Sequence, residues 1–136
     1  MTAVSAWTRP LPTPSPLTRP FWDATREGRL VLQRCTSCHA YVWTPQPLCR
    51  NCLTDTLEWS PVSGRGAIYS FVVIERPATP AFKAPYAIVI VDLEEGPRIL
   101  SDMVDCDASA VRIGMPVEVK FEPAGEVGLY HFRPRA

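Results

Sequence analysis

Four of the five cysteines form two Cys-x2-Cys pairs, Cys35 with Cys38 and Cys49 with Cys52, separated by ten residues. Two residues between thiolates allow one tight turn to present both sulfurs to the same ion. The ten-residue interval lets the chain return as a hairpin and close the shell. Four thiolates leave no coordination position for water, so such a zinc is structural. The spacing predicts one structural Zn2+ per chain, and iron in the same cage is the remaining alternative.

The first cysteine pair also matches two other chemistries. Residues 35–39 read Cys-Thr-Ser-Cys-His, which is the attachment pattern of c-type haem, and Cys-x2-Cys occurs in thioredoxin-like redox sites. Residues 1–16 contain neither a basic leader nor an apolar segment, so we expect no export to a compartment where haem is attached. No helix is predicted after Cys38, as a thioredoxin-like site requires. The second pair, at zinc-ribbon distance, therefore favours zinc.

No second group of residues in the sequence suggests catalysis. The two histidines, His39 and His131, have no candidate nucleophile or carboxylate partner nearby in sequence. Cys106 lies between Asp105 and Asp107, whose charges discourage a thiolate, so a structural role is expected. No glycine-rich loop of the kind that holds phosphates is present. We therefore expect a protein without catalytic residues of its own, and a small independent enzyme is the less favoured alternative.

The N-terminal part divides into an arm and a zinc-ribbon segment. Residues 1–17 contain prolines at positions 10, 12, 14 and 16, which favour an extended arm. A disordered tail is favoured over an arm that lies on a partner. Residues 18–62 are assigned to a helix and the ribbon, because Thr18 and Pro20 can start a helix that Gly28 ends. Residues 29–34 then alternate as a short strand.

Residues 63–136 have the pattern of a β-domain. Strands are predicted at residues 67–74, 86–93, 98–104, 116–122 and 129–132. A single helical turn is predicted at 107–113, between the third and fourth strands. This order matches the OB-fold barrel. The chain is thus predicted to be mainly β: an N-terminal helix, a four-cysteine zinc ribbon and a five-stranded OB-fold barrel.

Composition and charge exclude some classes of function. Hydrophobic residues make up 46% of the chain, enough for a core, yet no apolar run is long enough to span a membrane. Paired cysteines suit metal binding in a reducing compartment, so a cytoplasmic protein is expected. Residues 1–52 hold six arginines against two acidic residues, whereas residues 53–136 hold eight basic and twelve acidic residues. A nucleic-acid-binding module, the alternative function for this architecture, would need the opposite charge on its OB-fold.

Short motifs outside the cysteine pairs are spread over residues 20–134. They are Pro20-Phe21-Trp22, Glu27-Gly28-Arg29-Leu30, Val62-Ser63-Gly64-Arg65-Gly66, Tyr69-Ser70, Pro85-Tyr86, Val91-Asp92-Leu93, Ile113-Gly114-Met115-Pro116-Val117 and Phe132-Arg133-Pro134. Their order and spacing resemble the acyl-CoA-associated family that joins a rubredoxin-like zinc ribbon to a C-terminal OB-fold. One departure is His39, where many ribbon turns carry glycine.

The resemblance implies a function that composition does not reveal. Members of this family are typically non-catalytic subunits of thiolase-like enzymes: thiolases, acyltransferases and the aldolases that shorten sterol side chains. The resemblance also implies that the OB-fold binds acyl-CoA or completes the acyl-CoA site of the partner. No binding to nucleic acid or to a membrane is expected.

Three aromatic residues are candidates for contact with the partner subunit. Phe21 and Trp22 on the helix, with Trp43 in the ribbon, exceed the aromatic surface that so small a ribbon can bury. Exposed aromatic side chains suit the centre of an interface. In the alternative interpretation, Phe21 and Trp22 seal the ribbon against the barrel.

Three further candidates lie in the proline-rich loop 75–85, at the mouth of the expected OB-fold. Arg76 and Lys83 could meet the phosphates of CoA, while Phe82 could pack on an apolar group. In the alternative interpretation, the two cations are merely solvated.

Overall fold

The computed structural model describes residues 9–135. Helix α1 (Arg19–Arg26) precedes three short strands, β1 (Val31–Cys35), β2 (Tyr41–Val42) and β3 (Leu57–Pro61). Strand β1 is the centre of this antiparallel sheet, with β2 on one side and β3 on the other. The N-terminal helix and the strand that leads into the first cysteine are confirmed. Strand β3 was not predicted.

A second sheet of five antiparallel strands follows. Its strands are β4 (Arg65–Ile74), β5 (Tyr86–Leu93), β6 (Arg98–Asp102), β7 (Pro116–Ala124) and β8 (Val127–Pro134). Their order in the sheet is β6-β5-β4-β7-β8, and a 3₁₀ turn (Ala108–Ala110) lies between β6 and β7. This is the predicted OB-fold order of five strands with one short helical turn between the third and fourth.

The expected barrel is only partly closed. The outer edges of β6 and β8 meet at one isolated parallel bridge between Met103 and Phe132. Beside it, the N–H of Val104 donates to the Phe132 carbonyl at 2.8 Å, and Ser101 Oγ donates to the Tyr130 carbonyl at 2.8 Å. The strand order of an OB-fold is therefore confirmed, but a continuous ladder around a closed barrel is not formed, because β6 ends where β8 approaches it.

The core lies on the inner face of the five-stranded sheet. Along β5, the side chains of Ala87, Val89, Val91 and Leu93 alternate inward and are buried. Because successive side chains of a strand point to opposite faces, one period-2 run supplies a complete apolar stripe. Phe132 on β8 is fully buried in the same cluster.

Helix α1 joins the two sheets. Its buried side chains, Phe21, Ala24 and Thr25, share one face that packs on β8. At the contact, the backbone N–H of Gly128 donates to Thr25 Oγ1 at 3.3 Å. A Cβ atom on Gly128 would lie 2.3 Å from the Thr25 carbonyl oxygen, so only glycine permits this approach.

Replacing Gly128 with alanine is expected to lower the free energy of unfolding by about 1–3 kcal/mol, because the added methyl group meets backbone rather than a movable side chain. Denaturant-induced unfolding of both proteins measures the difference. Equal stability of Gly128→Ala and the parent would show that α1 does not need this close contact with β8.

Candidate metal centre and ligand groove

The four paired cysteines converge at one end of the three-stranded sheet. Cys35 ends β1 and Cys49 lies in the loop between β2 and β3, and both are fully buried. Sγ of Cys35 lies 3.6 Å from Sγ of Cys52, and Sγ of Cys38 lies 3.6 Å from Sγ of Cys49. All four sulfurs lie within 4.8 Å of one another.

This geometry fits one structural zinc ion. A tetrahedral site with Zn–S bonds of ~2.3 Å places its sulfurs about 3.7 Å apart, close to the observed spacing. A full set of four thiolates leaves no open position on the metal, so zinc here would hold the ribbon hairpin together. Haem attachment is not supported, because Cys35 and Cys38 both belong to the four-sulfur cluster.

Hydrogen bonds to two of the four sulfurs, those of Cys35 and Cys38, favour the thiolate form that a metal requires. Thr56 Oγ1 lies 3.3 Å from Sγ of Cys35, and the N–H of Cys38 donates to the same sulfur at 3.4 Å. These two contacts lower the pKa of the Cys35 thiol to about 5. Asn51 Nδ2 donates to Sγ of Cys38 at 3.3 Å and lowers the pKa of that thiol. These hydrogen-bond donors to the sulfurs were not predicted from the sequence.

Each Cys-x2-Cys turn ends on a residue in the left-handed region. His39 and Leu53, which follow the two pairs, both have φ of 64°. Their N–H groups donate back to the carbonyls of Cys35 at 2.9 Å and Cys49 at 2.7 Å. A non-glycine residue in this conformation costs on the order of 1 kcal/mol. His39 therefore carries this cost where many ribbon turns have glycine, and Leu53 carries it as well.

Four aromatic side chains, here called the aromatic seam, fill the space between the ribbon and the five-stranded sheet. They are Phe21, Trp22, Trp43 and Tyr130. The ring centre of Phe21 lies 4.9 Å from that of Trp22, 5.0 Å from that of Trp43 and 5.5 Å from that of Tyr130. Phe21 is 1% exposed, so the expectation that it is an exposed interface residue is wrong. Its ring is covered within the chain, whereas Trp22 and Trp43 are half-buried.

A groove with a volume of about 1030 Å³ runs along the outer side of the five-stranded sheet. Its walls are the residues 9–12, the side chain of Trp22, the loop residues 81–83 and the facing parts of β5, β6 and β8. Residues 9–12 belong to the predicted arm, which was expected to be a tail. Here they lie against the sheet, and Arg9 pairs with Glu122 at 3.4 Å. Residues 1–8 of that arm lie outside the described residues.

The structure distinguishes among the three candidate ligand-binding residues of the loop 75–85. Phe82 and Lys83 both line the groove, and the ring of Phe82 lies 6.1 Å from that of Tyr86, another lining residue. Arg76 is exposed and is not among the groove-lining residues. The loop therefore brings one of its two expected cations to the groove.

A buried histidine at the groove was not predicted as part of a site. His131 is 6% exposed, and both ring nitrogens contact carboxylates: Nδ1 lies 2.6 Å from Asp102, and Nε2 lies 2.9 Å from Glu122. The contact with Asp102, followed by that with Glu122, raises the pKa of His131 despite its burial. The cluster ties β8 to β6 and β7. Its partners lie 29 and 9 positions away in sequence and on two other strands, so the cluster is apparent only in the folded chain.

The ribbon and groove define a class: a small zinc-ribbon protein whose metal is structural and whose OB-fold carries an open groove. Residues 22–58 match the family model of the ChsH2 rubredoxin-like zinc ribbon domain, and residues 59–122 match that of the ChsH2 C-terminal OB-fold domain. A DUF35 domain-containing scaffold protein of Methanothermobacter thermautotrophicus is 40% identical over 102 residues, which cover 73% of this chain and 76% of that protein. The chain belongs to the DUF35 family of ChsH2-like zinc-ribbon/OB-fold proteins.

Two further relatives extend the comparison. A probable enoyl-CoA hydratase alpha subunit of Thermomonospora curvata is 37% identical over 118 residues, which are 84% of this chain. The chain spans only 36% of the length of that subunit. A solved structure described as "Ltp2-ChsH2(DUF35) aldolase" superposes with a TM-score of 0.82 at 33% identity, over 91% of this chain and 98% of the other.

The sequence predicted that no segment is long enough and apolar enough to span a membrane. Across residues 9–135, no helix has both the length and the apolar character that a bilayer crossing demands.

The purified chain is expected to contain one zinc, and Cys49→Ser is expected to contain much less, because the buried shell loses one of its four thiolates. Cys106→Ser is the matched control, since Cys106 lies outside the cluster and should leave the zinc content unchanged. Elemental analysis after gel filtration measures both. Iron in the parent protein, or full zinc in Cys49→Ser, would contradict the assignment.

The His131 cluster predicts a stability that falls as pH rises. The folded pKa is raised above the unfolded value of ~6.5, so the contribution is complete below about pH 6.5 and is lost as pH rises through the folded pKa. His131→Gln cannot titrate. The difference in unfolding free energy between the parent and His131→Gln should therefore shrink over the pH range that begins at about 6.5 and extends through the folded pKa.

Asp102→Asn provides the matched variant, because it keeps the shape of the partner but removes its charge. It should weaken the same pH dependence without abolishing it, since Glu122 remains. A constant difference between the parent and His131→Gln across this range would refute the assignment of a charged His131.

Proposed function

We propose that this chain is a non-catalytic subunit that docks on a thiolase-like enzyme and supports the binding of acyl-CoA. The enzyme would be a thiolase, an acyltransferase or an aldolase of sterol side chains. The observation that carries the proposal is the near-complete superposition on the structure described as an Ltp2-ChsH2(DUF35) aldolase. The relative from Methanothermobacter is named a scaffold protein, and the one from Thermomonospora a hydratase subunit, which agrees with a role beside an acyl-CoA enzyme.

The groove supplies a place for the ligand. Its apolar lining includes Trp22, Phe82 and Leu100, which suits an acyl group or the apolar part of a pantetheine arm. Lys83 is exposed at the groove and can approach a phosphate as a point charge. Asp102 also lines the groove, but His131 balances its negative charge and lowers its repulsion of an anionic ligand.

A supporting rather than catalytic role agrees with the described chemistry. Both nitrogens of His131 are engaged by carboxylates, so this histidine offers no free base to a substrate. Four thiolates around zinc leave no position for a metal-bound water. The same thiolates suit a reducing compartment, which supports a cytoplasmic location.

The docking surface is proposed to include Trp22 and Trp43. Both remain half-buried after they have packed on Phe21, so part of each indole is available to a partner. Aromatic side chains that are partly covered by their own chain lose little conformational freedom on binding, and they are enriched at the centres of interfaces.

Docking is tested by co-expression with a thiolase-like protein from the same organism, followed by size-exclusion chromatography. The two proteins are expected to elute together at micromolar concentration. Trp22→Ala and Trp43→Ala should weaken the complex, whereas Leu53→Ala, at an exposed apolar position outside the seam, should not. Separate elution, with a partner that is fully active alone, would contradict the proposal.

Ligand support is tested by the kinetics of the complex. Lys83→Ala should raise KM for acyl-CoA by roughly fivefold and leave kcat unchanged, because an exposed ion pair is worth up to about 1 kcal/mol. Arg76→Ala is the matched control: it removes an exposed cation of the same loop that lies outside the groove, so KM should not change. An unchanged KM in Lys83→Ala, with the complex intact, would show that the groove is not part of the acyl-CoA site.

A further inference from the structure

Strand β4 has one paired and one open edge over most of its length. On one side it pairs with β5 from Gly66 to Ile74. On the other side it pairs with β7 only at residues 65–67, and Ile68 then bonds to Gly114 and Met115. Within residues 9–135, no backbone hydrogen bond leaves this side of β4 beyond Ile68. Because alternate residues of an antiparallel strand direct their N–H and C=O groups to opposite edges, about half of residues 69–74, here called the open edge, present unpaired N–H and C=O groups on this side.

The open edge lacks the features that usually protect such strands. Residues 69–74 read Tyr-Ser-Phe-Val-Val-Ile and contain no charge and no proline. Exposed strand edges are commonly blocked by lysine, by proline or by a covering loop, because they otherwise pair with other strands. A bulge near Tyr69 twists only the beginning of the segment.

The side chains show where a neighbouring strand is missing. Phe71 is paired with Val89, which is fully buried, so Phe71 lies on the inner face of the sheet. It is nevertheless 36% exposed, because β7 does not extend beside it. Val72 lies on the outer face opposite Ile88 and is 52% exposed. A strand added at the open edge would cover both side chains.

We propose that the open edge pairs, antiparallel, with the same edge of a second copy of this chain. A two-fold axis at Val72 sets Val72 opposite Val72 of the second copy, Phe71 opposite Val73, and Ser70 opposite Ile74. Each inward aromatic ring then meets an apolar partner, and no like charges face each other, since Glu75 falls opposite Tyr69. A closed two-fold pair of this kind joins the two sheets and leaves neither copy with a free edge here.

The inference goes beyond docking on an enzyme, because it concerns a surface that the groove and the aromatic seam do not use. The groove lies across β5, β6 and β8, and the seam consists of rings from α1, the ribbon and β8. A dimer through β4 would therefore leave both available and carry two grooves in one assembly.

Sedimentation velocity of the full chain tests the proposal. At about 100 µM, where a micromolar Kd is saturated, the parent is expected to have twice the chain mass of 15.1 kDa. Val72→Lys places two ammonium groups together at the two-fold axis and should give a monomer. Leu48→Lys is the matched control, because Leu48 is similarly exposed at 47% but lies in the ribbon; it should remain a dimer. A monomeric parent, or a dimeric Val72→Lys with normal zinc content, would overturn the proposal.

Hydrogen exchange of the parent protein provides a second measurement if Val72→Lys does not fold. Dilution to about 0.1 µM should speed the exchange of those amides in residues 69–74 that point away from β5, while the amides of β5 keep their protection. Exchange that is independent of concentration would overturn the proposal. Protection that arises only when the thiolase-like partner is added would also overturn it, since the strand at the open edge would then belong to the enzyme.

Discussion

The packing of Phe21 is the interaction on which the arrangement of the two sheets depends. Its ring is 1% exposed and touches aromatic side chains from its own helix, from the ribbon and from β8. Helix α1 has only eight residues and could not persist alone in water. It is stable because one face packs on β8, where Gly128 allows its backbone to come close. The helix thereby holds the ribbon against the OB-fold, and its own stability depends on its contacts with both.

The metal centre stabilises the ribbon in a different way. The buried cluster around the cysteines contains little besides Val42 and the partly covered Leu57, too few apolar atoms to fold a hairpin of this size. Zinc–thiolate bonds replace that missing core. The ribbon thus has two independent supports, the metal inside it and the aromatic seam beneath it. Loss of the metal should loosen the hairpin beyond Cys35 more than it disturbs α1.

The sequence was sufficient where a short-range pattern carries the information. Cysteine spacing indicated the metal cluster, and alternation along residues 86–93 indicated a buried strand, because both signals are complete within a few residues. Strand β3 was missed because its five residues are held by pairing with β1, more than twenty positions earlier, rather than by a pattern of their own. The same limit applies to His131, whose carboxylate partners come from two other strands.

Burial was harder to predict than element type. An excess of aromatic residues in a small ribbon suggested an exposed surface, but the count could not show that Tyr130 of β8 lies against Phe21 and covers it. For the cations of the loop 75–85, residue type alone could not distinguish Arg76 from Lys83. Only the folded loop shows that Lys83 lines the groove and Arg76 does not.

Tyr130 links the seam to the groove and so connects the position of the ribbon with the shape of the groove. Its ring packs on Phe21 and Trp43, it lines the groove, and its hydroxyl donates to the Leu100 carbonyl at 3.1 Å. Burial, with a smaller effect from Asp102, raises the pKa of this phenol to about 12, so it stays a neutral donor. A shift of the ribbon relative to the sheet must move this ring, and with it one wall of the groove. A partner that contacts Trp22 or Trp43 would therefore be able to alter the shape of the groove, because these rings pack in the same layer as Tyr130.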